Sequence, residues 1–182
     1  MNHSAEMNAF LAEVEKRAFN MARFGVRDTE DALDIVQDTM LTLVRRYGRR
    51  PSADWRPLFF RILQSRITDH HRRSAVRRRL FGWMPGGNRG SGATEDDPVA
   101  EVVDPGVADP ALRVALDGSA TAMEQAVKEL PLRQQQAFLL RTVEGLSVQE
   151  TAQAMGCSPG SVKTHLSRAH TALRTELEDH WR

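Results

Sequence analysis

The sequence predicts an all-α protein, in which two small helical domains are joined by a flexible linker and the C-terminal domain contains a helix-turn-helix. Apolar residues recur at helical spacing on both sides of a central segment that is rich in Gly, Pro and acidic side chains and shows little periodicity. Residues 144–174 carry the caps and the turn of two consecutive helices. We therefore expect an N-terminal domain over 1–81, a linker over 82–112 and a C-terminal domain over 113–182.

The first helix is predicted over residues 8–24, because Gly25 stops its apolar repeat. Asp28 has the short acceptor side chain of an N-cap, and it begins a second helix that ends before Gly48. The residues expected to face the core are Ala32, Ile35, Val36, Met40, Leu43, Val44 and Tyr47. The opposite face mixes acidic, amide and apolar groups, namely Asp34, Gln37, Asp38 and Leu41. A solvated surface is the simplest explanation of that second face.

Residues 49–56 are predicted to form a loop containing the aromatic Trp55, and Pro57 suits the start of a third helix that reaches Leu80. The apolar side of this helix is expected to contain Phe59, Phe60, Leu63 and Ile67. Five arginines crowd its end without an intervening acid, namely Arg72, Arg73, Arg77, Arg78 and Arg79. Such a cluster repels itself unless an anion is near, which favours a phosphate partner. The alternative is a solvated helix end.

Charge is distributed unevenly along a chain whose formal net charge is only +1. Residues 1–81 contain 16 Lys and Arg against 10 Asp and Glu, residues 82–127 contain 2 against 8, and residues 128–182 contain 7 against 6. A basic front and an acidic middle favour a nucleic-acid binder more strongly than the net charge does. The linker is also long enough to span several nanometres, so the flanking domains can sit far apart.

Helical spacing resumes over residues 113–129, and a further helix is predicted over 132–144, ending at Gly145. Ser147 and Glu150 then form a capping box at the start of the next helix. Gly156 supplies the left-handed residue that ends it, while Ser158 caps the last helix and Pro159 occupies its first position.

The last helix has two distinct faces. Its apolar stripe consists of Val162, Leu166, Ala169 and Leu173. The opposite side carries short polar and cationic groups without a carboxylate, namely Lys163, Thr164, Ser167, Arg168, Thr171 and Arg174. A second helix with such a face, after a short Gly-containing turn, is typical of a helix-turn-helix that enters a DNA major groove. A plain helical hairpin with solvated charges is the alternative.

Other classes of site find little support in the sequence. Cys157 is the only cysteine, so an internal disulfide is excluded, and a packed turn residue is a simpler explanation of it than a redox sensor. His70 and His71 diverge by about 100° on a helix and do not readily share a metal ion. The chain contains neither a signal peptide nor an apolar run of about 20 residues. We expect a soluble, cytoplasmic protein without catalytic residues, metal or cofactor.

Three stretches together resemble bacterial RNA polymerase sigma factors of the sigma-70 family, in its extracytoplasmic-function (ECF) subgroup. The stretch DALDIVQDTMLTLVRR resembles the core-polymerase-binding helix, and LFFRILQSRITDHHRR resembles the helix that melts the promoter. Residues 130–174 resemble the domain that reads the −35 element. The chain differs from the family pattern at Leu58, Ser65 and His165, where Trp, Asn and Arg are common.

The resemblance implies a non-catalytic initiation factor that binds core RNA polymerase, double-stranded promoter DNA and the melted −10 strand. The residues implied to contact the polymerase are Asp34, Gln37, Asp38 and Leu41. Those implied for the −10 element are Trp55, Arg61, Ser65, Arg66, Arg72 and Arg73, with Trp55 stacking on a base. Those implied for the −35 element are Lys163, Thr164, Ser167 and Arg168, with Arg133 and Ser147 near phosphates. An anti-sigma factor is an expectation of the family alone.

Two other functions remain as alternatives. A self-sufficient helix-turn-helix repressor or activator normally needs a dimer interface to match paired half-sites, and no coiled coil or ligand-sensing domain is evident. A hydrolase using Asp69, His70 and His71 would need a convergent nucleophile, base or metal set, which the sequence does not supply.

Overall fold

The computed structural model describes residues 3–81 and 121–180, and all of the secondary structure in these ranges is helical. The elements are α1 (His3–Val26), α2 (Thr29–Tyr47), α3 (Ser52–Phe81), α4 (121–129), α5 (Leu132–Phe138, continued by a π-helical turn Leu139–Val143), α6 (Val148–Met155) and α7 (Pro159–His180). The all-α prediction is confirmed. The linker predicted over 82–112, and residues 113–120 of the helix predicted after it, lie outside the described residues.

Helices α1, α2 and α3 pack on one another and form the N-terminal group. The cap predicted at Asp28 is present, because its carboxylate accepts a hydrogen bond from the amide of Asp31 at 2.9 Å. Helix α3 supplies the three largest fully buried side chains of this group, Trp55, Phe59 and Phe60, and also buries Leu63 and Ile67. Rigid aromatic rings on one helix therefore provide much of the apolar surface that the group buries.

The predicted loop over residues 49–56 is shorter than expected, because α3 begins at Ser52 and includes Pro57 in its interior. Trp55 is only 1% exposed, and its ring lies 5.9 Å from that of Phe10. Proline lacks an amide hydrogen and disfavours helical geometry at the preceding residue, so local propensity argues against this start. Burial of the indole favours the longer helix, since packing a large aromatic ring outweighs one missing hydrogen bond.

Helices α4 to α7 form the C-terminal group, in which α5 and α6 pack against α7. The helix predicted over 132–144 is present but changes its geometry at Leu139. There the amide of Glu144 bonds to the carbonyl of Leu139, five residues earlier, at 3.0 Å. This spacing defines a π-turn, which sequence periodicity does not report. Gly145 then ends the element with a φ of 66°, a left-handed conformation that glycine adopts without steric cost.

The two groups contact each other in this structure, mainly through α3 and α6. The side-chain amide of Gln136 donates to the hydroxyl of Thr68 at 3.2 Å, and the Arg27 guanidinium donates to the carbonyl of Lys128 at 2.7 Å. The sequence led us to expect that the domains can sit far apart, but the described helices are packed together. Within the described residues, no helix has the length and apolarity that crossing a membrane requires.

Candidate functional site

The entry into the last helix is built as the sequence predicts. The hydroxyl of Ser147 accepts from the amide of Glu150 at 3.1 Å, and the carboxylate of Glu150 accepts from the amide of Ser147 at 2.7 Å. The hydrogen bonds that the side chain and the backbone of Ser147 make to the carboxylate hold the pKa of Glu150 below its ordinary value. Gly156 ends α6 with a φ of 61°. Ser158 then accepts from the amide of Ser161 at 3.1 Å, which caps α7 and fixes its direction.

Helix α7 buries one face and exposes the other. Val162, Ala169 and Leu173 are buried against the rest of the C-terminal group. The exposed side includes all four residues that the resemblance implies for the −35 element, which we call the α7 cationic face: Lys163, Thr164, Ser167 and Arg168. The helix therefore presents cations and hydroxyls to a partner without an intervening carboxylate.

The hydroxyl groups of this surface are partly committed to the helix itself. Thr164 of this face donates to the carbonyl of Gly160 at 3.1 Å, and Thr171, which lies beyond the face on the same helix, donates to the carbonyl of Ser167 at the same distance. Each hydroxyl oxygen keeps its acceptor capacity, while the only hydrogen is already used. Lys163 and Arg168 are consequently the strong donors of the face, suited to phosphate oxygens or to the acceptor edge of guanine.

A second exposed polar surface lies along α3. Four of the residues predicted for the −10 element are exposed there, and we call them the α3 basic face: Arg61, Ser65, Arg72 and Arg73. Arg72 contacts Asp69 at 3.9 Å, a long and exposed ion pair that contributes little. Arg77, Arg78 and Arg79 continue the same helix. This surface suits the sugar-phosphate backbone better than it suits base edges.

Two other residues predicted for the −10 element lie elsewhere. Trp55 is in the core of the N-terminal group, where its ring meets the edge of His3 at 5.0 Å, so its indole is not available for stacking on a base in this structure. Arg66 turns toward α2 and contacts Asp38 and Thr42. Arg133, placed near phosphates by the resemblance, instead donates to the carbonyl of Met155 at 2.7 Å and thereby holds the end of α6.

The outward side of α2 carries all four residues predicted to contact the polymerase, because Asp34, Gln37, Asp38 and Leu41 are exposed. The prediction that Val44 faces the core is wrong. Val44 is 45% exposed and, with Leu33 at 45% and Leu41 at 49%, it forms an apolar stripe along the same side. We call the six residues together the α2 outer face: Leu33, Asp34, Gln37, Asp38, Leu41 and Val44. The apolar residues Leu33, Leu41 and Val44 lie three, eight and eleven positions apart, and this helical spacing could have revealed the stripe from the sequence.

Sequence reasoning did not find the cluster of charges between the two groups. Glu144 has a fully buried side chain, and its carboxylate lies 3.1 Å from Arg56 and 3.5 Å from Arg17. Glu13 contacts the same two guanidinium groups, that of Arg17 at 2.9 Å and that of Arg56 at 3.6 Å. We call these four residues the Glu144 cluster. Burial raises the pKa of the Glu144 carboxyl, and the two arginines oppose the shift without cancelling it.

The chemistry available on these surfaces is that of binding. Among the described residues, no group of three or more His, Cys, Asp or Glu side chains could hold a metal ion. His70 pairs with Asp31 at 2.9 Å, and His71 bonds to the carbonyl of Gly25. Both imidazoles therefore attach α3 to neighbouring parts of the N-terminal group.

Comparison with known families gives two matches in the order that the sequence suggests. The family described as Sigma-70 region 2 matches residues 9–77, and the family described as Sigma-70, region 4 matches residues 120–173. The residues of the α3 basic face and of the α7 cationic face all fall within these matches.

Curated proteins match over most of the chain. An RNA polymerase sigma-E factor of Streptomyces avermitilis is 30% identical over 174 residues, which cover 95% of this chain and 86% of that protein. An RNA polymerase sigma-E factor of Streptomyces antibioticus is 32% identical over 154 residues, covering 84% and 74%. The ECF RNA polymerase sigma factor SigM of Mycobacterium tuberculosis is 29% identical over 159 residues, covering 87% and 70%.

Solved structures share the fold. The sigma factor RpoE of Bartonella quintana, in complex with the anti-sigma factor NepR, has a TM-score of 0.62 at 21% identity and covers 93% of this chain and 97% of its own. CnrH, in complex with the cytosolic domain of CnrY, has a TM-score of 0.54 at 21% identity, covering 95% and 88%.

Proposed function

We propose a division of labour among the exposed faces of this chain, which belongs to the extracytoplasmic-function subgroup of the sigma-70 family of RNA polymerase sigma factors. As a member of that family it functions in transcription initiation, where it directs core RNA polymerase to specific promoters and assists duplex opening. The observation that carries the residue assignments is that two cationic faces, on α3 and α7, and one acidic and apolar face, on α2, are exposed on three different helices. Each face suits one of the contacts that such a factor makes.

The α7 cationic face is assigned to the −35 element. A capped helix that exposes Lys163 and Arg168 beside two hydroxyl groups can enter the major groove and meet both phosphates and base edges. The absence of a carboxylate from this face matters, because an acid there would meet the phosphates with like charge. The C-terminal group thus reads duplex DNA.

The α3 basic face is assigned to the −10 element and the strand released there. Melting requires a base to leave the stack, which costs a few kcal/mol that backbone cations and pocket contacts must offset. Arg61, Arg72 and Arg73 can supply the backbone contacts from exposed positions. Trp55 is left out of the assignment, because exposing its indole would remove a large ring from the core.

The α2 outer face is assigned to core polymerase. It combines an exposed apolar stripe with Asp34, Gln37 and Asp38, a composition that suits a protein partner better than the polyanionic surface of DNA. Its acidic groups would complement basic residues on the polymerase. The apolar stripe would supply the area that is removed from water on binding.

Binding to one polymerase makes the promoter contacts effectively intramolecular, so each face needs only modest affinity for DNA. This arrangement requires no catalytic residue, and the chain is proposed to have no enzymatic activity and to work in the cytoplasm, where its polymerase is. An anti-sigma factor is proposed as a regulator by analogy with the complex of RpoE and NepR.

The function is tested by run-off transcription with purified chain, core RNA polymerase and promoter DNA. Transcripts that start at a defined site only when the chain is present support the proposal. Tight, specific binding of duplex DNA by the chain alone, without polymerase-dependent transcripts, would favour a self-sufficient regulator instead.

A further inference from the structure

Arg66 joins two of the faces described above. Its Nη1 donates to Oδ2 of Asp38 at 2.8 Å, and its Nη2 donates to the hydroxyl of Thr42 at 2.7 Å. That hydroxyl donates in turn to the backbone carbonyl of Asp38, also at 2.7 Å. Arg66, on α3, is therefore hydrogen-bonded to two residues of α2 that are one helical turn apart.

The side chain of Arg66 is committed to this arrangement. It is 33% exposed, whereas the Asp38 side chain is 61% exposed. Its Nε is buried and has no hydrogen-bond partner among the described residues. To reach a phosphate, the guanidinium would have to abandon two short hydrogen bonds, one of them the charge-assisted bond to Asp38. The neighbouring Arg61 on α3 is exposed instead.

The same contacts hold the Asp38 carboxylate in one orientation on the α2 outer face. Arg66 occupies Oδ2, and the high exposure of the side chain leaves Oδ1 accessible to a donor on a partner. An exposed aspartate normally loses rotamer freedom when it binds. Here that ordering has taken place within the folded chain, with Leu41 exposed beside the carboxylate.

We propose that Arg66 is a positioning residue for the polymerase contact rather than a DNA-contacting residue. It orients Asp38 so that the free carboxylate oxygen meets a cationic side chain of the polymerase. This inference rests on the proposed function of the α2 outer face, and it moves Arg66 from the promoter-binding set to the polymerase-binding set.

The test is a double-mutant cycle on the full chain. Affinity for core RNA polymerase is measured for the unmodified chain, Arg66→Gln, Asp38→Asn and the double variant. We expect each single variant to bind about three- to tenfold more weakly, and the double variant to bind no more weakly than the poorer single one, because both substitutions remove the same contact. Arg66→Lys should restore part of the affinity, since lysine keeps the charge but cannot bridge both partners.

Two further measurements separate positioning from a general loss of structure. Urea unfolding reports the stability of each variant, and Lys16→Gln serves as the matched control, because it removes one exposed cation from the same group of helices. Holoenzyme assembled at saturating concentrations of each variant is then titrated with promoter DNA at several salt concentrations. We expect Arg66→Gln holoenzyme to keep the salt dependence of the unmodified chain.

Four outcomes would overturn the proposal. Unchanged polymerase affinity with a salt slope that falls by about 1 would return Arg66 to the DNA-binding set. Independent, additive effects of Arg66 and Asp38 would remove the coupling between them. Tighter polymerase binding by Arg66→Gln would show that Arg66 blocks Asp38. Losses of both affinities that follow the loss of stability would make the residue merely structural. If the unmodified chain itself fails to bind polymerase, the proposed function fails first, which is a distinct result.

Discussion

Lys163 and Arg168 are the residues whose predicted and observed positions agree most directly, since both are exposed on one side of α7. Their environment follows from local sequence alone. The apolar stripe decides which side of the helix is buried, and the opposite side must then face solvent or a partner.

We predict that Arg168→Ala and Lys163→Ala weaken transcription from −35-dependent promoters without loss of core-polymerase binding. A contact to a guanine edge is worth about 1–3 kcal/mol and would relax base choice at one position, whereas a phosphate contact would lower affinity for all sequences and reduce the salt slope by about 1. Binding of holoenzyme to a panel of −35 variants distinguishes the two. Lys16→Ala, on α1, is the control, and full activity of both α7 variants would contradict the assignment.

Trp55, unlike Lys163 and Arg168, does not lie where its residue type and sequence context led us to expect. An aromatic residue in a predicted loop beside a basic helix suggests base stacking, but the ring is buried. The sequence pattern around Pro57 gives no sign of this, because the residues that cover the indole, including His3 and Phe10, come from α1. Which aromatic rings are exposed is decided by packing between helices.

At the scale of the element, helix α6 was predictable to the residue. Ser147 and Glu150 satisfy each other's amides, and Gly156 provides the left-handed end. Such caps depend on side chains three residues apart, so the sequence contains all the information needed to place them.

We predict that Ser147→Ala lowers the free energy of unfolding by about 1 kcal/mol, the usual value of an N-cap. The effect should depend on pH. Because the hydrogen bonds to Ser147 lower the pKa of Glu150 in the folded chain, its stabilising contribution is present above the ordinary value of 4.5 and is lost as pH falls through the folded pKa. Urea unfolding of the variant and the unmodified chain should therefore differ less in acid, but the difference should not vanish, because the hydrogen bond from the Glu150 amide to the Ser147 hydroxyl does not titrate. A difference that stays constant across that range would show that the Ser147 hydroxyl does not stabilise the Glu150 carboxylate.

The outer face of α2 was predicted only in part. Helical periodicity placed Asp34, Gln37, Asp38 and Leu41 on one side, but Val44 was assigned to the core because its type is apolar. Periodicity gives relative directions around a helix, and the neighbours that cover each direction are known only from the tertiary structure.

We predict that Val44→Ser weakens binding to core polymerase about fivefold or more while leaving stability within about 0.5 kcal/mol, because the side chain is already 45% exposed in the free chain. Leu43→Ser is the contrasting change, since Leu43 is fully buried and its loss should unfold the group. Co-purification with core enzyme and urea unfolding measure the two effects. Unchanged polymerase affinity for Val44→Ser would remove the apolar stripe from the interface.

At the scale of the whole molecule, the Glu144 cluster joins helices that are far apart in the chain. The hydrogen bond between Arg56 and Glu144 spans 88 residues. Glu144 sits directly after the π-turn, and its carboxylate is buried against α1 and α3. Removing the acid leaves two guanidinium groups that are each about a third exposed and can be hydrated, whereas removing an arginine leaves a buried carboxylate poorly paired.

The two sides of this ion pair should therefore respond differently to substitution. We predict that Arg56→Met lowers the free energy of unfolding by about 1–3 kcal/mol, a range reduced for the partial exposure of both arginines. Glu144→Gln should change it by less than about 1 kcal/mol or raise it, because the buried charge is removed and the side chain keeps a hydrogen-bond acceptor. Equal losses for the two variants, measured in urea at neutral pH, would contradict this asymmetry.

The cluster should also make the packing of the two groups sensitive to pH. Since burial raises the pKa of the Glu144 carboxyl, the folded chain favours its protonated form. This contribution is fully present below the ordinary pKa of 4.5 and is lost as pH rises through the raised folded value. Amide hydrogen exchange in α6 should therefore become faster, after correction for intrinsic rates, as pH rises through that range. Glu144→Gln should abolish this increase in amide exchange with pH. An increase that persists in the variant would assign the effect to other titrating groups.

The sequence by itself determined the helical class, the caps of α2, α6 and α7, and the cationic face of α7. These features depend on residues within one or two turns of each other, so local spacing is sufficient to specify them. Only the tertiary structure decided that Trp55 is buried and Val44 exposed, each the reverse of what we expected. It also decided that Arg66 turns to Asp38 and that Glu144 is buried between two arginines. Those outcomes depend on contacts between residues that lie far apart in the chain, from 24 positions for Arg66 and Thr42 to 127 positions for Arg17 and Glu144. They are not encoded in any local pattern, because the environment of a side chain is set by whichever helix packs against it.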